Sequence, residues 1–314
     1  MVDTIYSCVE DYLKNAKEFD IVATQVSAGH FLCYQRELQL PNLIVGKRYV
    51  TTSLLYQTTL QQECFYIVIP KINGGMLVNG QKIALSQPLV FTSKQESLIH
   101  LPENACNLYI IIPTVELTKY FDEEKIEMVK HIISQCNIHK KALIQSESDQ
   151  KRLSSLIDNL LQENTLLSYQ EILDGEATIM ELLCNLLTLN SSLPIINKIS
   201  NSTKLAIVNR ALNHVHKNSA ITITSPELAE ISFCCLRNLE YAFKSILNIS
   251  PKQYLIKRRF QLINSALKSE GTLPVSETIK SFGIVNQARF VNDYFKFYEE
   301  YPQQTREKRL DRSA

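Results

Sequence analysis

The sequence predicts an α+β chain in which a closed or sandwiched β unit precedes a wholly helical C-terminal part. Three observations predict it. Residues 19 to 115 run as short segments rich in Val, Ile, Tyr and Thr, broken by turn residues, which is the pattern of a barrel or sandwich. From about residue 116 the apolar period lengthens to that of helices. Beyond about residue 203 the chain repeats one plan twice, a short helix, a tight connection and a longer helix.

Taken in order, "MVDTIYSCVEDYLKNAKEFD" is mixed and acidic and lacks the basic flank and apolar core of a signal peptide. "FLCYQRELQL", "LIVGKRYVTTSLLYQ", "CFYIVIP", "GMLVNGQKIAL", "PLVFTS" and "NLYIIIP" are strand candidates. "INGG" and "VNGQ" read as tight turns, because Asn-Gly tolerates positive φ. "RLSSLIDNLLQEN" and "YQEILDGEATIMELLCNLLTL" carry helical stripes, the second wide enough to pack against a domain or a second copy of itself. "NSSLPIINKISNST" has the polar, Pro-containing composition of a linker. Helices are then expected at about 204–217, 225–231, 235–247, 251–269, 275–281, 287–298 and 302–309. No repeat of 20–50 residues is visible. The division expected is 1–190, a linker at 191–203, and 204–314.

At 314 residues the chain is long enough for two domains. It contains no run of about 18 apolar residues, so no membrane span is expected. Eight cysteines include no C-x-x-C, and Cys234 and Cys235 are vicinal, which suits reduced thiols in a cytoplasmic protein. The net charge of +1 conceals an asymmetry: residues 1–202 carry 16 Lys/Arg and 22 Asp/Glu (−6), and residues 203–314 carry 17 and 10 (+7). A basic C-terminal third suits a module that meets a polyanion.

The repeated plan is that of a helix-turn-helix, whose second helix enters the major groove while the first crosses the backbone. In "SPELAEISFCCLRNLEYAFKSIL" the buried set is Leu228, Ala229, Leu239, Ala242 and Phe243, leaving Arg237, Asn238, Glu240, Tyr241 and Lys244 facing elsewhere. In "PVSETIKSFGIVNQARFVNDYFKFY" it is Ile279, Phe282, Phe290 and Tyr294, with Gly283 at the turn and Asn286, Gln287, Arg289, Asn292 and Lys296 outward. Two such units in tandem on the basic part of a chain are far more specific than one. Between them, "SPKQYLIKRRFQLINSALK" opens on an N-cap Ser and a Pro at the first helical position. It sets Lys257, Arg258 and Arg259 beside its apolar stripe.

Residues 205 to 309 resemble the AraC/XylS family of bacterial transcription regulators. Leu228-Ala229, Arg237, Leu239, Phe243-Lys244, Ser250-Pro251, Tyr254-Leu255 and Arg259 match one half of its signature; Gly283, Arg289-Phe290, Tyr294, Tyr298, Pro302 and Arg306 match the other. "ARFVNDY" is similar to the branch that includes ethanolamine-utilisation regulators, as more distantly are "SAGHFLCYQREL" and "LVNGQKIALSQPLVF". Departures are Cys235 at the first recognition-helix cap, Asn248 and Glu299 where Gly is usual, Ile284 for Phe and Thr305 for Tyr. The resemblance implies a cupin-like N-terminal barrel, helices that dimerise, and a rigid linker helix at 251–269 joining the two units.

A sequence-specific DNA-binding regulator, expected to be a cytoplasmic activator, follows. Its partners would be double-stranded DNA, RNA polymerase, a small effector in the barrel and a second copy of the chain. The apolar faces of the 116–190 helices, expected to exceed what a small barrel covers, argue for that copy. Arg237 and Tyr241 are expected in the groove, with Glu240 able to accept from cytosine N4 and Asn238 beside them. Tyr241 also suits a packed surface aromatic. In the second unit Asn286, Gln287, Arg289 and Asn292 are the expected readers; Arg289 equally suits a guanine contact or an internal brace. Lys244 and Lys296 suit phosphate or solvent, as does Arg258 with its neighbours, unless an acidic group within the domain meets them. Catalysis, cofactors and metals are not expected: His30 and His100 are far apart for a metal cupin, and no phosphate-binding glycine loop or G-x-S-x-G occurs. The rival reading is a ligand-responsive sensor whose degenerate DNA-binding half acts through protein contacts, motivated by Cys235, Ile284 and Glu299.

Overall fold

The computed structural model describes residues 1–72, 75–83, 85, 88–94, 96–127, 130, 147–162, 167–188, 200–218, 223–269 and 273–310. Its first half is two antiparallel sheets face to face. One runs, in spatial order, β1 (Val2–Tyr6), β3 (Cys33–Gln39), β4 (Ile44–Val50), β11 (Ala105–Pro113), β6 (Cys64–Ile72) and β9 (Leu89–Thr92). The other runs β2 (Phe19–Gln25), β5 (Leu54–Leu60), β10 (Glu96–Leu101), β7 (Leu77–Val78) and β8 (Gln81–Lys82). A short helix, α1 (Val9–Asn15), joins β1 to β2. Asn79 and Gly80, at φ 51° and 78°, make the tight turn between β7 and β8.

The apolar runs that lack polar alternation are explained by burial on both faces. In β6, Phe65, Ile67 and Ile69 pack outward under helices, while Tyr66 and Val68 enter the space between the sheets. In β11, Leu108, Ile110 and Ile112 take the outer side and Tyr109 and Ile111 the inner. After a single turn, α2 (Thr114–Leu117), the covering helices are α3 (Glu147–Leu160) and α4 (Tyr169–Thr188). Leu153, Ile157, Ile179, Met180, Leu182 and Leu183 are at most 2% exposed, packed in one core with the first sheet. The apolar surplus expected on these helices is therefore absent among the described residues: the sheet has a second apolar face, and that face covers them.

The C-terminal part is α5 (Ser200–Lys217), α6 (Ser225–Ile231), α7 (Leu236–Leu247), α8 (Pro251–Lys268), α9 (Val275–Ser281), α10 (Gln287–Tyr298) and α11 (Pro302–Leu310). Most of the expected linker lies outside the described residues, and α5 begins at Ser200, within its end. The second sheet does not face solvent. Its outer residues Val26, Leu55 and Leu98 share a core with Ile207 and Val208 of α5 and with Phe243 and Ile246 of α7. The order of layers is thus α3 with α4, first sheet, second sheet, and helical C-terminal part. Among the described residues no helix is long and apolar enough to cross a membrane.

Candidate nucleic-acid interface

The first unit is built on local signals. Thr224 caps α6, its hydroxyl accepting from the Glu227 amide at 3.4 Å while the Glu227 carboxylate accepts from the Thr224 amide at 3.4 Å. Leu228 and Ala229 pack on Leu239, Ala242 and Phe243, and all five are buried. That packing turns Arg237, Asn238, Glu240, Tyr241 and Lys244 to the exposed side of α7. Cys235 makes no side-chain cap hydrogen bond, as its chemistry suggests. Asn248 closes α7 at φ 57°, a conformation Asn tolerates. Tyr241 is 62% exposed, with Lys204 Nζ 4.4 Å from its ring centroid. The Lys244 ammonium donates to the carbonyl of Asn248 at 3.3 Å.

In the second unit Gly283, at φ 73°, makes the turn, and Phe290 and Tyr294 of α10 pack on Phe260, Ile263 and Leu267 of α8. The Tyr294 hydroxyl accepts from Asn264 Nδ2 at 2.7 Å and lies 2.9 Å from the Thr305 hydroxyl, which donates to Glu300 at 2.7 Å. Burial raises the Tyr294 pKa, so the hydroxyl stays protonated. The expected readers divide here. Asn286 caps α10, accepting from the Arg289 amide at 2.9 Å, and Gln287 Nε2 donates to the Ser276 carbonyl at 3.1 Å. Arg289, whose side chain is 81% exposed, lies 3.7 Å from Asp293 one turn on. Asn292 and Lys296 are exposed.

Between the units, α8 opens on a capping box in which Ser250 and Gln253 satisfy one another's amides. Tyr254 and Leu255 enter the first unit's core, and Phe260, Ile263 and Leu267 the second's. Lys257 and Arg258 face the β unit. Lys257 donates to the Val26 carbonyl and sits over the Phe297 ring, and Arg258 Nη1 donates to the Ala23 carbonyl at 3.3 Å. Strand β2 is the edge of its sheet, so its outer carbonyls lack a ladder partner. The helix supplies a donor to one of them, Ala23, and another to Val26 just beyond the strand. The expectation for Arg258 thus gives way to a different placement, half-buried against β2 and apart from the exposed faces of α7 and α10. Tyr254 extends the seam: its hydroxyl lies 2.7 Å from His216 Nε2 and 3.3 Å from Thr24. Burial, reinforced by the Arg258 charge, lowers the His216 pKa to about 3, so the imidazole is neutral.

Between the two sheets lies a cavity of about 290 Å³. Arg48 lines it, with Tyr12 and Tyr109 centroids 5.2 and 4.9 Å from the guanidinium carbon. Its Nε donates to Gln35 at 3.2 Å, and Gln35 in turn donates to Glu37 at 2.9 Å. Among the described residues Arg48 forms no ion pair. Burial opposes its charge, but Tyr12, Tyr66 and Tyr109 outweigh that and raise its pKa. Gly46 makes room for the aromatic wall, since a Cβ there would fall 2.2 Å from Tyr109 Cζ. Among the described residues no group of His, Cys, Asp and Glu is placed to hold a metal.

Sequence reasoning missed several side chains of this surface. Phe233 and Val285 stand 85% and 97% exposed at the entrances to α7 and α10. Lys204 and Arg210 reach the first unit from α5. Only an apolar residue in the connection between two helices signalled the first pair. Nothing local signalled the second.

Residues 228–308 match the family model described as "Helix-turn-helix domain". No curated protein matches the sequence. Among solved structures, the AraC-like transcriptional activator CuxR is similar at 11% identity, over 89% of this chain and 100% of that one, with a TM-score of 0.47. ToxT from Vibrio cholerae O395, bound to a methylnaphthalenyl butenoic acid, is similar at 11% identity over 91% and 97%, with a TM-score of 0.28. The EutQ protein of Clostridium difficile is similar at 16% identity over 26% and 69%, with a TM-score of 0.21.

Proposed function

We propose that this chain, whose residues 228–308 match a helix-turn-helix domain model, is a transcription regulator of the AraC type that binds duplex DNA bivalently through α7 and α10. The observation that supports it is the orientation of the two helices. α7 buries its apolar side on α5, α6 and the start of α8, and α10 buries its own on the end of α8; each presents an exposed polar side: Arg237, Asn238, Glu240, Tyr241 and Lys244 on one, Arg289, Asn292 and Lys296 on the other. Arg237 and Arg289 suit guanine and Asn292 suits adenine, while Lys244 and Lys296 suit phosphate. Asn286 and Gln287, tied within their own unit, shape α10 in this reading rather than meet bases. Arg258 anchors α8. Glu299 at φ 58° serves as Asn248 does, closing its helix in the left-handed region, so the departures from the family pattern do not argue for a degenerate domain.

Division into an effector unit at 1–190, a linker at 191–203 and a DNA-binding part at 204–314 belongs to the same proposal. So do action as an activator in contact with RNA polymerase, in the cytoplasm, and control by a small molecule in the inter-sheet cavity. Strand β2 supplies Phe19 and Ile21 to that cavity and the carbonyl of Ala23 to α8, and Val26, the residue just after it, supplies another carbonyl. A molecule seated there therefore bears on the strand that holds the linker helix. Pairing with a second copy of the chain belongs to the same proposal, although among the described residues Leu153, Ile157, Ile179, Met180, Leu182 and Leu183 of α3 and α4 are already buried on the first sheet. Footprinting on genomic fragments tests it: two protected segments one helical turn apart, about 34 Å, on one face of the duplex are expected. No retention of any fragment at low salt would refute it.

A further inference from the structure

The two units end their first helices in the same way, and one of them does so at a cost. After α9 the chain turns through Gly283, whose amide donates to the Lys280 carbonyl at 2.9 Å. After α6 the corresponding residue is Phe233. Its amide donates to Glu230 at 2.9 Å, and the Cys234 amide donates to Ala229 at 3.0 Å, the paired bonds of a Schellman ending. That ending requires a left-handed residue. Gly283 takes φ 73° freely, whereas Phe233 takes φ 54° with a bulky side chain, in a region that glycine adopts freely, Asn tolerates and an aromatic residue does not favour. The ring gains no burial in return, being 85% exposed. Strain without packing gain marks a residue kept for contact.

Its surroundings say with what. The ring lies 5.6 Å from the guanidinium carbon of Arg210, and Arg210 Nη2 donates to the Ser232 carbonyl at 2.9 Å, which holds the cation under the turn. Arg237, exposed, stands on the first turn of α7. An apolar ring with an arginine against it, at the entrance of a helix whose first turn carries another exposed arginine, complements a groove edge bordered by phosphates, where the one apolar group on a base is the thymine methyl.

We propose that Phe233 is a specificity-determining DNA contact whose ring covers a thymine methyl beside the segment read by α7, with Arg210 on the flanking phosphate. The proposal rests on DNA binding by the tandem units. The test uses the full chain and a duplex selected by it from a random pool, with each thymine in turn replaced by uracil, which removes only the methyl. For the wild-type chain one replacement next to the α7 segment should weaken binding about fourfold, the value of one buried methyl. Phe233→Gly and Phe233→Ala should bind the thymine duplex correspondingly more weakly and no longer distinguish uracil. Phe233→Gly should also melt at a higher temperature than wild type, and Phe233→Ala should not, because only glycine relieves the left-handed strain. This combination, greater stability with weaker binding, is not produced by a merely structural residue. If the wild type binds DNA but no replacement separates it from the variants, the inference is wrong. It is equally wrong if DNA binding is unchanged and only transcription from a bound promoter falls, since the ring would then meet a protein. If the wild type selects no duplex at all, the functional proposal itself fails.

Discussion

Replacing Tyr294 by Phe removes one oxygen from the second unit, and the structure fixes what that oxygen does. The ring is fully buried and keeps its contacts with Phe260, Phe290 and Tyr298 in the variant. Thr305 retains its bond to Glu300 at 2.7 Å, so the hydroxyl's loss does not strand it. Asn264 is different: it is 4% exposed, and its Nδ2 donates to Tyr294 at 2.7 Å. A buried donor left without an acceptor costs about 1–3 kcal/mol, and a single stranded amide places Tyr294→Phe near 2 kcal/mol. Removing both partners should cost less, so Tyr294→Phe combined with Asn264→Leu should recover part of the loss. Urea unfolding followed by tyrosine fluorescence measures both, as a lowered midpoint with an unchanged slope. A single variant within about 0.5 kcal/mol of wild type, or a double variant less stable than the single, would refute the reasoning.

The remaining predictions concern the seam, the first unit's charge and pH. Gly80→Ala places a Cβ 2.7 Å from Ile246 Cδ1 and 3.1 Å from its Cα at φ 78°; it should expose sites between the β unit and α7 to limited proteolysis, and an unchanged digestion pattern would count against that contact. Lys244→Ala should weaken all sequences alike and lessen the salt slope of DNA binding by about one unit; a change confined to one base position would place Lys244 in the groove instead. His216 titrates at about 3 when folded and near 6.5 when unfolded. The unfolded chain therefore binds the proton first, so stability is kept above pH 6.5 and lost progressively as the pH falls toward 3. His216→Gln should flatten that part of the stability curve, and an equally steep loss would assign it to other groups.

What the sequence made legible follows from range. Helix-turn-helix elements rest on cues a few residues apart: the Ser250-Pro251 start, Gly283 at its turn, and apolar spacing that commits Leu239 and Phe243 to one side. These elements appeared where expected, with α7 starting one residue late at Leu236. Strands β1, β2 and β10 and helix α1 escaped because their patterns are weak locally and their pairings are distant: Val2 stands opposite Glu37, and Phe19 opposite Leu60. The role of Lys257 and Arg258 was invisible for the same reason, since their carbonyl partners lie 231 and 235 residues away. That the described apolar residues of α3 and α4 pack on the first sheet was not legible, because nothing in a strand's sequence says that its sheet is buried on both sides. Gln287 looked outward by periodicity, yet its amide reaches Ser276 in the preceding helix.

The central claim is that two helices on one rigid connector read separate stretches of DNA. Selection of preferred duplexes from a random pool, repeated for wild type, Arg237→Ala and Arg289→Ala, tests it most directly. Each substitution should relax preference at a base position in its own segment, costing about 1–3 kcal/mol there, with the two positions about one helical turn apart and the other segment's preference intact. Relaxed preference at the same base pairs for both variants, or unaltered preference for both, would contradict the account.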